Sequence, residues 1–270
     1  MERRFASGEL ELVGELVRPD GAAEQSLGLV LCHGFPNSAG DVLAMAGLAD
    51  MATHIAETLG WTVLTFRFRG CDPSEGYFSL GGWLEDLHAA IDVLSVEEGI
   101  EKVWVAGFGT GGSLSVCAGA ADSRIQGVAT LAAPADFDDW AEYPHELLDH
   151  ACEVGAVASP DEIDDPEGWA LELGQIRAYN AAGNLAPRAL LVVHGAEDQM
   201  VPVLDARALA DAHGDGELVL VAGADHGLRH DPRAIASLLG WLDRQAGHVA
   251  IGDNPEASAS TPGSPAPSTP

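Results

Sequence analysis

The chain has 270 residues, 47% of them hydrophobic, a size that suits one α/β domain at ~100 to 200 residues per domain. No apolar run comes near the ~20 residues that span a bilayer. Its 42 acidic residues against 13 basic ones give a formal net charge of −29, a field that repels nucleic acid and disfavours anionic ligands at long range. Cys32, Cys71, Cys117 and Cys152 form neither a CxxC pair nor a dense framework, and no apolar stretch of signal-peptide length follows the charged start, so a reducing, cytoplasmic setting is expected.

In chain order, Leu27 to Cys32 is a short apolar run that predicts a buried strand, followed by His33-Gly34-Phe35. Trp61 to Phe68 predicts a second strand, leading into Arg67-Phe68-Arg69-Gly70-Cys71-Asp72-Pro73-Ser74-Glu75-Gly76. Trp83, Leu84, Leu87, Ile91 and Leu94 share one face of a surface helix, with Asp86, His88 and Asp92 expected to point elsewhere. Further strands are predicted at Val103 to Ala106, Val128 to Leu131, Leu190 to Val193 and Leu218 to Val221.

Such alternation predicts a mostly parallel sheet with helices on both faces, an α/β fold. Residues 136–185 interrupt it and read as a short helical cap. Trp140, Tyr143 and Leu147 suggest one helix, Trp169, Leu173 and Ile176 another, and Asp161 to Glu167 with Pro160 and Pro166 the connection. The last helix is expected to start at Asp231-Pro232, bury Ile235, Leu238, Leu239 and Leu242, and stop at Gly247. The main domain is thus assigned to residues 1–251, and the Pro/Ser/Ala-rich tail at 252–270 is expected to be disordered.

The segment Val103-Trp104-Val105-Ala106-Gly107-Phe108-Gly109-Thr110-Gly111-Gly112 is a strand feeding a Gly-rich turn and a small-residue helix. It resembles the nucleophile elbow, G-x-S-x-G, of the α/β-hydrolase superfamily. In that register glycine, Gly109, stands where the attacking serine belongs. The elbow holds its central residue in an unfavourable backbone region, a strain of about 1 to 3 kcal/mol for a residue with a Cβ, which glycine relieves.

Other loops resemble the same superfamily in the same order. His33-Gly34-Phe35 is similar to its HG-x oxyanion loop; by that resemblance the backbone N–H groups of Phe35 and Thr110 form the oxyanion hole, with His33 and Gly34 beside it. His194-Gly195-Ala196-Glu197-Asp198 resembles the acid loop, with Asp198 as the acid, and Ala224-Asp225-His226-Gly227 the histidine loop. The segment Arg67 to Gly76 resembles the R-G-x-G-x-S-x-G turn, with Asp72 in place of a glycine. The likeness runs from about Leu27 to Leu242 and leans towards small esterases and acylglycerol- or feruloyl-type lipases.

Asp198 and His226 are read either as catalytic or as scaffold residues that tie two loops together. Thr110, Ser113, Cys32 and Cys71 are weighed as substitute nucleophiles, and none is adopted. His226 and His230 are spaced i, i+4, but no third and fourth ligand accompanies them, so no metal is expected. Gly107 to Gly112 lacks the lysine of a phosphate loop, so no nucleotide cofactor is expected. The expected function is a hydrolase-fold protein without serine-hydrolase activity that binds a small, largely apolar or ester-like ligand or a protein partner. The alternative is a serine-independent enzyme, hydrolase or lyase-like, in which the Asp198–His226 pair is the general base.

Overall fold

The computed structural model describes residues 1–19, 26–38 and 46–252. The elements in chain order are β1 (Glu2–Ser7), β2 (Leu10–Val17), β3 (Leu27–Cys32), α1 (Ala46–Leu59), β4 (Thr62–Phe66), α2 (Leu80–Ser95), β5 (Lys102–Phe108) and α3 (Thr110–Ala121). They continue with β6 (Ile125–Leu131), α4 (Asp138–Glu142), α5 (Pro144–Glu153), α6 (Pro166–Leu173), α7 (Ala178–Leu185), β7 (Ala189–Gly195), α8 (Val203–His213), β8 (Glu217–Val221) and α9 (Pro232–Gly252).

The strands form one eight-stranded sheet in the order β1-β2-β4-β3-β5-β6-β7-β8. From β4 to β8 every pairing is parallel, while β1–β2 and β2–β4 are antiparallel. The strand order reverses between β3 and β5, so the loops at their carboxyl ends flank the crevice where open α/β sheets bind ligands.

Side chains alternate across the sheet. Val30, Leu64, Val105, Val128 and Val192 face one core with Trp83 and Leu87 of α2 and Leu114 of α3. Leu29, Leu31, Val63, Ala106 and Val193 face the other with Ile55 of α1 and Leu238, Trp241 and Leu242 of α9. Both faces of the central strands are therefore covered, which is why their sequences read as unbroken apolar runs.

The β1–β2 hairpin has no counterpart among the strands expected from sequence. It turns at Gly8, with φ 59°, and buries only Phe5, Ser7, Leu12, Val13 and Leu16, so charged residues interrupt its apolar pattern. Asp86 is a correction: it is fully buried rather than turned away from the core. Its carboxylate accepts bonds from the Arg69 backbone N–H at 2.8 Å and from Arg69 Nε and Nη2 at 3.0 and 2.7 Å. A buried charge is tolerated only with such partners.

The cap segment also differs in detail. The first expected helix breaks at Tyr143 (φ −124°, ψ 55°), where Pro144 begins α5, because proline disfavours helical backbone in the residue before it. Pro166 lies not in a loop but at the start of α6, with the Asp165 side chain accepting from Gly168 N at 3.0 Å. Ile176 falls past the end of α6. Helix α6 touches α2 and α4, whereas α7 packs between α3 and α8. The stretch 136–185 therefore holds α4, α5 and α6, packed on one another and on α2, and α7, packed between α3 and α8. Helix α9 runs through Gly247 to Gly252, past its expected stop; residues 253–270 of the tail lie outside the described residues. Among those described, no helix is long and apolar enough to cross a membrane.

Candidate active site

The Gly-rich turn joins β5 to α3 as a sharp elbow. Its apex, Gly109, has φ 50° and ψ −125°, a conformation that L side chains rarely adopt. Its N–H donates to Leu131 O at 2.9 Å. A Cβ built on Gly107 would lie 2.4 Å from Gly111 C, one on Gly111 2.2 Å from His33 O, and one on Gly112 2.8 Å from Gly107 O. These glycines let helix, strand and the His33 loop touch. At Gly109 a Cβ would instead meet Gly34 Cα at 3.6 Å and His226 Nε2 at 3.8 Å, ordinary contact distances. The apex has room for a side chain, and that side chain would start towards His226.

The acid and histidine loops come together at the same edge. His226 Nδ1 lies 2.8 Å from Asp198 Oδ2. The Asp198 side chain is fully buried, and its Oδ1 accepts from the backbone N–H groups of Met200 and Val201 at 2.9 and 3.0 Å. With Asp198 ionised and accepting only, His226 carries its proton on Nδ1 and presents the Nε2 lone pair to the elbow. His194, quoted in the acid loop without a role, is a further member: its Nε2 is 3.0 Å from Val201 O and 3.5 Å from Asp198 Oδ2. The sequence signal was its place four residues before Asp198 at the end of β7.

The β3 loop forms the opposite wall. A Cβ on Gly34 would lie 2.9 Å from Phe108 O, so glycine there allows the loop to press on the elbow. His33 is buried, with Phe68 N–H donating to its Nε2 at 3.2 Å. Its Nδ1–H therefore donates to Gly34 O, 2.8 Å away. Burial, opposed by that bond and reinforced by the charges of Arg67 and Arg229, pushes the imidazole down to about 4. His33 is thus a neutral brace for the loop. Thr110 is the first residue of α3, so its N–H lacks an intrahelical acceptor, and the helix dipole adds positive potential there.

A cavity of about 1020 Å³ opens over these groups, and His33, Gly34, Phe35, Gly109, Thr110 and His226 all border it. Asp198 stands behind His226. Helices α4 and α5, with the residue before α4, contribute Phe137, Trp140 and Leu147, with the Phe35 and Trp140 rings 5.4 Å apart. Ala132, with φ 54°, lies on the cavity wall. Five carboxylates, Asp136, Asp139, Glu197, Asp205 and Asp225, also border it. Burial, aided by the charges of Asp136 and Asp139, raises the Asp205 carboxyl above its ordinary range, although its bond from Ala135 N–H opposes the shift.

The substitute nucleophiles sit poorly for attack. Ser113 is buried inside α3 and donates to Pro134 O at 2.5 Å. Cys32 and Cys71 are buried thiols whose ionisation burial opposes, Cys71 being pushed up to about 12. Among the described residues, no group of three or more His, Cys, Asp and Glu could hold a metal ion.

No family model and no curated protein sequence matches the chain. Solved structures do. Est1E from Butyrivibrio proteoclasticus with ferulic acid bound superposes with a TM-score of 0.69 at 18% identity, over 90% of this chain and 96% of that one. The alpha/beta hydrolase GrgF from Penicillium sp. sh18 gives 0.68 at 20%, over 92% and 99%. An alpha-beta serine hydrolase homologue from Coxiella burnetii gives 0.58 at 22%, over 91% and 96%. Sheet order, elbow and these likenesses agree: the chain has the α/β-hydrolase fold.

Proposed function

We propose that this hydrolase-fold chain works without a serine nucleophile and binds a small, largely apolar ligand in the cavity between the lid helices and the sheet. The observation that carries this reading is Gly109. It occupies the elbow apex in the strained conformation, 3.8 Å from His226 Nε2 measured from its Cβ position, and brings no attacking group. The histidine and its acid are in place, and the residue they would activate is not.

The ligand class follows from the walls. Phe35, Phe137, Trp140 and Leu147 offer apolar and aromatic surface, and bordering carboxylates disfavour an anion. Est1E holds ferulic acid, an aromatic acid; a neutral aromatic ester or acyl group suits this cavity better. In this reading the backbone N–H groups of Phe35 and Thr110 hold a ligand carbonyl oxygen. Within the cap assigned to residues 136–185, α4 to α6 are the part that covers the cavity, and a reducing cytoplasm is the setting that suits the free thiols.

A fluorophosphonate probe tests the reading directly. The wild-type protein is expected to stay unlabelled and Gly109→Ser to be labelled at residue 109, with a gain in hydrolysis of short p-nitrophenyl esters. Labelling of the wild-type chain at a cavity residue overturns it. Methyl cinnamate is expected to quench cavity tryptophan fluorescence, and to bind at least about tenfold more weakly to Trp140→Ala, the loss that about 1.4 kcal/mol of ring contact corresponds to.

A further inference from the structure

We propose that the open elbow apex is a water site, and that the chain hydrolyses activated neutral acyl compounds, esters and thioesters with good leaving groups, by direct attack of that water. The inference rests on the reading above that no serine acts here, and adds an activity to it.

Three features converge on one point. First, among the described residues the only atoms within 4 Å of the Cβ position of Gly109, beyond its chain neighbours, are Gly34 Cα and His226 Nε2. The glycines on either side have no comparable room, so the space is confined to the apex. Second, the bond from His226 Nδ1 to Asp198 fixes the tautomer whose Nε2 accepts a proton. Asp198 is itself held by two backbone N–H groups, so the imidazole is oriented. Third, the apex adjoins Thr110 N at the start of α3, where negative charge developing on a carbonyl oxygen is favoured. Phe35, Trp140 and Leu147 line the approach and limit the bulk water that reaches it.

The step balances without any further reagent. The water oxygen forms a bond to the acyl carbon while one of its protons passes to His226 Nε2, and the carbonyl π electrons move to oxygen. Collapse of that oxyanion breaks the bond to the leaving group, which takes the proton back from His226 as an alcohol or thiol. The acid remains, and His226 is neutral again. Once ionised, the product carboxylate faces Asp136, Asp139 and Asp205. Like charges therefore drive product out, and they exclude anionic substrates from the start.

The test follows p-nitrophenyl acetate and thiophenyl acetate with the full chain and three variants. The wild-type protein is expected to turn both over without an initial burst, at rates that differ with the leaving group, because no common acyl-enzyme is formed. His226→Gln is expected to lose about 100-fold or more in kcat/KM, the usual worth of a general base. Gly109→Ala places a methyl group where the water binds and is expected to lose about tenfold or more, as one methylene misplaced at a reacting centre does. The His226 Nδ1 proton resonance should persist in that variant, which separates loss of water from loss of the Asp198–His226 pair. Gly109→Ser is expected to introduce a burst and a deacylation rate shared by both substrates.

Turnover equal in wild type and His226→Gln, equal in wild type and a folded Gly109→Ala, or absent for both substrates overturns the inference. Because His226→Gln leaves the elbow untouched, the test stands even if Gly109→Ala fails to fold. Fluorophosphonate labelling of the wild type would instead remove the reading on which the inference rests; an unlabelled protein without His226-dependent turnover removes the inference alone.

Discussion

The flanks and the apex of the elbow carry the same residue, and their surroundings differ. At Gly111 a Cβ would lie 2.2 Å from a backbone carbonyl oxygen, and at Gly107 2.4 Å from a backbone carbon, whereas at Gly109 the nearest atom is 3.6 Å away. Flanking glycine answers a packing demand that no other residue meets. Glycine at the apex answers a dihedral demand, φ 50°, which other residues meet at an energetic cost. The pattern Gly107-x-Gly109-x-Gly111 therefore mixes two kinds of constraint. Of the three, only the apex has room for a side chain.

That comparison is most easily broken at the flank. Gly111→Ala is expected to cost about 3 kcal/mol, the upper end of what over-packing costs, since its methyl group meets the backbone carbonyl of His33. Chemical denaturation measures it, and a loss below that of Gly109→Ala would erase the distinction between flank and apex.

The loop on which Gly111 presses gives the next effect. Folding lowers the His33 imidazole from its ordinary 6.5 to about 4, so between these values the unfolded chain binds the extra proton. Stability is therefore full above about pH 6.5 and falls as pH drops towards 4, by up to about 3 kcal/mol. Below that both states are protonated and the term no longer changes. In His33→Gln this part of the slope should vanish; an unchanged slope would show that the brace does not titrate as described.

The smallest effect sharpens the comparison at the apex. Gly109→Ala should fold and lose only about 1 to 2 kcal/mol, the cost of holding a Cβ at positive φ. A midpoint shift no larger than this in urea is the expected outcome, and a collapse of the transition would mean that packing as well as backbone governs the apex.

Much of the site was legible because its determinants are local. The strands β3, β5 and β7 are buried on both faces and so read as apolar runs, whereas the loops that carry His33–Phe35, Gly109 and Asp198 were assigned by their resemblance to the α/β-hydrolase superfamily. The β1–β2 hairpin was not legible: Arg3, Arg4, Glu9 and Glu11 break its apolar pattern, and only part of each strand is buried. Asp86 was read as exposed because its partner, Arg69, lies 17 residues earlier and no periodicity reports such a pairing. Helix α7 was not read from the sequence at all: its eight residues, Ala178–Leu185, are too few to show a clear apolar period. His194 lay in plain view, but its reach to Asp198 depends on how the 198–201 turn folds back over β7.

The close approach of Gly111 to the His33 carbonyl separates two selective pressures within one short motif. A change at 111 is filtered by folding itself, in any descendant and for any ligand. A change at 109 meets only the smaller backbone cost of positive φ and is otherwise filtered by what the protein must do. A glycine signature in the sequence therefore reports a close joint between strand and helix, whatever chemistry the apex carries.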